Sequence, residues 1–284
     1  MFCFTANAEH ATKVVGLVNL PDMKGAWLEM HDSSTNNSFS TTSHQFMKEG
    51  DIFTDEEISD VHVQIQIIQI GFTNGTVTAE EDGKEMIYHI DRSGNVETQP
   101  AHPGVYFNNA SLDSVLDLYA GITGRTMLVH PLIHQKTARV SIQAQGKSEF
   151  THLLENVLRE TNIAFIPDGE KFELIVPLAL EKTLQSNLIN SASLIKSDTK
   201  TPRGTLDWKN VDLEQVLNVY GALIGKKLMQ ERPLPNITIN LRTQTPLTEA
   251  ESIHALDTLF AWNGIKIVNL DDHSFKAVPI SSAN

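Results

Sequence analysis

Apolar and polar residues change places at each step from Val63 to Ile67, then lose step at Ile68. The alternation predicts a strand with Val63, Ile65 and Ile67 on one face and Gln64 and Gln66 on the other; the slip predicts a β-bulge. Asn74-Gly75 and Asp82-Gly83 then supply residues able to take positive φ at the two places where hairpins need them. Upstream, Val14–Leu20 and Ala26–Met30 predict short strands around a Pro-Asp turn, and Ser33–His44 predicts a polar loop. Residues 13–90 thus read as a small β-sandwich or barrel. Residues 91–104, with two prolines, two glycines and no apolar period, read as a linker.

Beyond the linker the apolar period lengthens to that of a helix. Leu112, Val115, Leu116, Tyr119 and Ile122 share one helical face, and Gly124 is placed to end the helix in the left-handed region. Arg125–His130 and Ala138–Ala144 predict strands. A helix after Ser148 would bury Phe150, Leu153, Leu154, Val157 and Leu158, before a hairpin turning at Asp168-Gly169. The same order then recurs. Leu213, Val216, Tyr220 and Gly225 answer Leu112, Val115, Tyr119 and Gly124 at a constant offset of 101 residues, the mark of a duplication.

In the second copy Asp212 with Gln215, and Thr248 with Glu251, predict capping boxes. Ile237, Ile239 and Leu241 predict its middle strand, and Ile253, Leu256, Leu259 and Phe260 its second helix. Each copy reads β-α-β-β-α-β-β, an open sheet with two helices on one face. The expected class is α+β: a terminal stretch 1–12, the all-β domain 13–90, the linker 91–104, module one 105–177, a polar linker 178–203 with a short helix near Leu180–Leu188, and module two 204–280. Trp208 matches Phe107 across the repeat and is expected to be a buried anchor of a module that folds alone.

Charge narrows the partners. A net charge of −13 over 284 residues argues against binding polyanions, which needs a concentrated basic surface. No apolar run approaches the roughly 18 residues that span a bilayer. Cys3 is the one cysteine, so neither a disulfide nor a thiolate metal site is expected. Ala6-Asn7-Ala8 has the small-x-small form that precedes signal-peptidase cleavage, although the apolar stretch before it is short for an export signal. Either the chain begins inside such a signal, and cutting after Ala8 removes Cys3, or the terminus is an unstructured run that happens to hold two alanines.

Candidate chemistry is sparse. His130 and His134 have metal-like spacing, but Pro131 between them opposes one-face presentation, and a strand-end loop is the better account. Asp271-Asp272-His273 reads as turn chemistry and Asp55-Glu56-Glu57 as a solvated acidic run. Gly121–Gly124 resembles the GxxG clamp of an RNA-binding KH domain. That clamp lies between two helices among basic residues, whereas Gly124 leads into a strand, and Gly221–Gly225 breaks the spacing in the second copy. No catalytic, cofactor-binding or metal-ligating residue is assigned, and no cofactor or nucleic acid is expected.

The repeated pattern, with Leu112, Val115, Leu116, Gly124, Val140, Ile142, Leu154, Leu158, Val176 and Pro177 in the first copy, resembles the small KH-like N-terminal modules of bacterial secretins. The same short module occurs in TonB-dependent receptors. Leu213, Val216, Leu217, Gly225, Ile239, Leu241, Leu256, Phe260, Val278 and Pro279 match in the second copy. The front end, with its Glu49-Gly50-Asp51-Ile52 turn before an alternating hairpin, resembles the periplasmic homology region of the type II secretion inner-membrane clamp protein. The resemblance implies a non-enzymatic periplasmic or envelope scaffold in a type II secretion or type IV pilus-like apparatus. Its partners would be a secretin, other apparatus proteins or further copies of itself. It would carry no pore, since the chain ends at Asn284 just after the second module. The alternative is a periplasmic ligand- or signal-sensing module like that of TonB-dependent receptors.

Overall fold

The computed structural model describes residues 8–34, 40–55, 63–71, 76–81, 84–89, 104–134, 138–188, 200–201, 206–229 and 235–280. It is a mixed α+β protein of several small sheets and six α-helices among the described residues. The chain gathers into two compact units. One holds residues up to 118 with 137–154; the other holds 119–136 with 155–284.

In the first unit, β1 (Ala8–Leu20), β2 (Met23–Ser34), β3 (Ser40–Met47), β8 (Gly104–Ser111) and β10 (Arg139–Ala144) form one sheet in the order β10-β8-β1-β2-β3. A second sheet runs β4 (Ile52–Asp55), β5 (Val63–Gly71), β6 (Thr76–Glu81), β7 (Lys84–His89) in sequence order. The two sheets share a core: Val14, Leu17, Leu28, Met30 and Met47 meet Ile65, Ile67, Ile70, Val77 and Ala79. The bulge at Ile68 is present, as the β5–β6 register shifts between Ile67 and Gln69, leaving Ile68 exposed and Ile70 buried. Both hairpin turns at Asn74-Gly75 and Asp82-Gly83 lie outside the described residues.

The polar loop expected at Ser33–His44 is a correction. β2 continues to Ser34 and β3 starts at Ser40, paired without a break from Ser33–Ser40 to Ala26–Met47. The ladder is anchored at its apolar end. Met47 is buried, and the Phe46 ring covers Gly25 so closely that a Cβ there would lie 2.4 Å from it. Backbone pairing along a well-anchored neighbour outweighs the weak apolar content of Ser40–Ser43.

The helices α1 (Leu112–Thr123), α2 (Pro131–His134), α3 (Lys147–Glu160), α4 (Glu181–Leu188), α5 (Leu213–Leu223) and α6 (Glu249–Trp262) alternate with the remaining strands. These are β9 (Thr126–Val129), β11 (Ile163–Asp168), β12 (Phe172–Pro177), β13 (Lys200–Thr201), β14 (Asp207–Asp212), β15 (Lys227–Leu228), β16 (Thr238–Arg242), β17 (Leu247–Thr248), β18 (Ile265–Asn269) and β19 (Ser274–Pro279). The short helix expected near Leu180–Leu188 is α4. Leu112, Val115, Leu116 and Tyr119 are buried on α1, and Gly124 ends it at φ 69°; Gly225 ends α5 at φ 66°.

Strands of 104–177 and of 207–279 pair alike. β8 lies antiparallel to β10, and β14 to β16, each with a register shift beside a left-handed asparagine: Asn109 at φ 51° and Asn210 at φ 53°. β9 runs parallel to β12, and β15 to β19, with β11 and β18 completing three-stranded ladders. These strands thus divide between two ladders in each copy, with β17 paired separately to β13 in the second, in place of the single open sheet expected. In the first copy β8 pairs with β10 on one edge and with β1 on the other.

A core cluster of the second unit draws on both copies. Leu128, Ile166, Phe172, Leu174 and Val176 belong to it together with Leu213, Val216, Leu217, Leu256, Phe260 and Phe275. The apolar side chains of residues 207–279 therefore pack in common with those of β9, β11 and β12. Trp208, expected to be buried, is half-buried at the margin of this cluster.

Helix capping also parts from expectation at one end. Thr248 and Glu251 form the full capping box, with the Glu251 amide donating to Thr248 Oγ1 at 3.2 Å and the Thr248 amide to Glu251 Oε2 at 2.6 Å. Asp212 makes no side-chain cap. Like Thr248, which ends β17 opposite Lys200 and does cap, Asp212 ends a strand, here opposite Thr238, immediately before its helix.

Candidate docking surfaces

Strand edges are the first surface. In the first unit β8 is paired on both sides, by β10 and by β1, where Gly16 lies opposite Phe107, Leu17 opposite Tyr106 and Val18 opposite Val105. A polar pin fixes this join. The Glu29 carboxylate, 1% exposed, accepts from the Ser111 amide at 2.7 Å and from Arg139 Nη1 at 2.6 Å, tying β2 to the start of α1 and to β10. In the second unit β14 pairs with β16 alone among the described residues.

A second surface lies inside the second unit, where α6 meets the β11–β12 hairpin. His254 Nε2 is 2.6 Å from Asp168 Oδ2, and the Phe172 ring stands edge-on to the imidazole at 5.8 Å. Lys171 Nζ donates to Glu251 Oε2 at 2.6 Å and to the Pro246 carbonyl at 2.9 Å. Nearby, the Tyr220 hydroxyl donates to Asp257 Oδ1 at 2.8 Å; in the first copy the Tyr119 hydroxyl donates to Glu155 Oε1 at 2.7 Å. Burial and the acceptor carboxylates push both phenols up.

The hydrogen bond to Asp168 holds the His254 imidazolium above its usual range, against burial, which acts the other way; Asp168 and Asp257 add attraction. A histidine raised in the fold adds stability that is complete below pH 6.5 and is lost as pH rises through its folded value. His130 has the opposite sense. It is buried, its ring lies 5.2 Å from that of Trp262 at a tilt of 47°, and burial lowers it, so its contribution is lost as pH falls. Melting of His254→Gln should therefore differ from the parent more at pH 6 than at pH 8.5. An equal difference at both would remove the ion pair from the account.

The candidate residues of the sequence are not brought together. The strand-end loop expected at 130–134 is instead the single-turn helix α2, which Pro131 opens as a first helical residue. His130 Nδ1 accepts from the Leu132 amide of that turn at 3.2 Å, and the His134 side chain lies outside the described residues. No group of three potential metal ligands occurs among the described residues. Asp271 Oδ1 accepts from the His273 amide at 2.8 Å, the turn chemistry expected of it. Asp55 ends β4, while Glu56 and Glu57 lie outside the described residues. Gly124 caps α1 through its amide to the Ala120 carbonyl at 2.8 Å and leads into β9. Cys3, Ala6 and Asn7 lie outside the described residues, and Ala8 begins β1 opposite Ser34. No described helix is long and apolar enough to cross a membrane.

Sequence reasoning missed the Tyr119–Glu155 and Tyr220–Asp257 pairs, and the one between His254 and Asp168. For the tyrosines a signal existed. Both partners recur across the repeat, the acids at an offset of 102 residues, so a polar residue repeated with its polar partner could have been sought. His254 and Asp168 come from different copies, and nothing local links them.

The chain matches no protein-family model, no curated protein and no solved structure.

Proposed function

We propose that this protein is a non-enzymatic scaffold of the bacterial envelope. It carries two secretin-type modules behind a β domain and works through protein–protein contacts in a type II secretion or type IV pilus-like apparatus. The observation that carries this reading is the β1–β8 pairing. A strand from the β-rich front end adds directly to the first strand of a module, so the module edge is a surface that takes strands. The two copies also share backbone features, such as Asn109 with Asn210 and Gly124 with Gly225, and one helix-to-helix tyrosine–carboxylate pair each, Tyr119 with Glu155 and Tyr220 with Asp257, as fits a common frame.

The test is a pull-down from envelope extracts with the full chain as bait, beside fractionation of the native protein. Retention of a secretin or another apparatus protein, with the native protein in the periplasmic or envelope fraction, is expected. A cytoplasmic native protein overturns the envelope assignment. Failure to retain any apparatus protein, while a small ligand raises the melting temperature, replaces the scaffold with the sensing module.

A further inference from the structure

The strands β8 and β14 open the two repeats and agree on one side. Val105 and Leu206 are both buried, and each strand pairs antiparallel with the middle strand of its own copy. The Asn109 amide donates to Ser141 Oγ at 2.9 Å, and the Asn210 amide to Asn240 Oδ1 at 2.7 Å. They differ on the other side. β8 is covered there by Gly16–Asn19 of β1, whereas β14 has no strand at that edge among the described residues. The aromatic residue at the matching position reports the difference. Phe107 is 1% exposed, and a Cβ at Gly16 would lie 2.5 Å from its ring, so bare backbone lies against the aromatic face. Trp208 is left half-buried.

We propose that the open edge of β14 receives an extended strand from a partner protein, with a glycine set against Trp208. The strand that covers β8 supplies the pattern for this occupant. Opposite Leu206 an apolar residue is required, as Val18 is opposite Val105. Opposite Asp207, whose carboxylate is more than half exposed and lies 3.6 Å from Arg242 Nε on the β16 side, a lysine or arginine would share that carboxylate from the open side, because directly opposed residues share a face of the sheet. The partner segment thus reads glycine, basic, apolar. Main-chain hydrogen bonds supply its affinity and the alternating side chains its specificity. This inference rests on the reading of the chain as a docking scaffold and names the place where one partner docks.

The probe is a synthetic peptide with the Thr12–Leu20 sequence and Leu17→Lys, added to the full-length protein. Saturable binding that slows hydrogen exchange at residues 206–209 is expected. Gly16→Val in the peptide, or Trp208→Ala in the protein, should weaken it about tenfold or more, as for an aromatic anchor at an interface. Asp207→Lys lies on the surface and should reverse the preference between lysine and glutamate at the second position, which keeps the test sharp if Trp208→Ala unfolds. Equal affinity for the glycine and valine peptides, or protection only elsewhere, overturns the proposal. So does self-association of the protein that protects 206–209 without peptide. If Trp208→Ala and Asp207→Lys both still retain the envelope partner, the scaffold stands and this edge falls. If the peptide binds but no apparatus protein is retained, the edge stands and the scaffold falls.

Discussion

Replacing Phe107 by alanine is expected to cost about 3–5 kcal/mol, the loss typical of a fully buried phenylalanine. Its ring joins three elements of the first unit. Trp27 on β2 lies 6.4 Å away by ring centroid, Phe150 on α3 lies 6.3 Å away, and Gly16 on β1 faces it directly. Removing the ring leaves a cavity that strand backbone cannot collapse into without losing the β1–β8 ladder. The complementary change is Gly16→Val, expected to cost about 1–3 kcal/mol by overpacking, since the new Cβ would meet the ring at 2.5 Å. The two losses should not add. In the Phe107→Ala background the valine has room, so the double variant should be more stable than the sum of the single changes implies. Denaturant titration of all four proteins measures this. Strict additivity, or a loss below about 1 kcal/mol for Phe107→Ala, would show that this contact does not hold the sheet together.

That contact marks where sequence reading succeeds and where it stops. The slip at Ile68, the left-handed glycines Gly124 and Gly225 and the Thr248–Glu251 box were legible because each depends on residues a few positions apart. The match of Trp208 to Phe107 was legible too, but not its burial, because what covers Phe107 is Gly16 and Trp27, some ninety and eighty residues upstream. Asp212 does start its helix, as its local pattern suggests, but its side chain makes no cap bond. Thr248, strand-paired in the same way, makes both bonds of the box, so the pattern locates the helix start without fixing the side-chain partner. The common core of the second unit was likewise hidden. Apolar periodicity shows that Leu128, Leu174 and Leu256 are core residues without showing that they enter one core. Of the candidate surfaces, the edges could be anticipated in kind but not in place, since an edge is defined by the strand that is missing.

The repeat contains its own comparison between a buried ion pair and a buried hydrophobe. In the first copy Arg125 Nη1 lies 2.7 Å from Glu173 Oε2, and Glu173 is 3% exposed. In the second copy the matching positions are Lys226 and Phe275. Phe275 is fully buried against Tyr220, while Lys226 turns outward to Asn269 and the Asp271 carbonyl. Burial pushes the Glu173 carboxyl up, and Arg125 only partly offsets it. Arg125→Met should therefore cost about 3 kcal/mol at pH 7, the lower end for breaking a buried pair because Arg125 keeps some contact with water. A carboxyl raised in the fold is destabilising when ionised, and the penalty is relieved as pH falls through its folded value toward 4.5. The deficit of Arg125→Met should thus shrink between pH 7 and pH 5. Adding Glu173→Leu should recover most of the loss at pH 7 and abolish that pH dependence, since an apolar residue at this position is what the second copy already accommodates. A double variant as unstable as Arg125→Met alone would mean that the pair holds β9 against β12 in a way that apolar packing cannot replace.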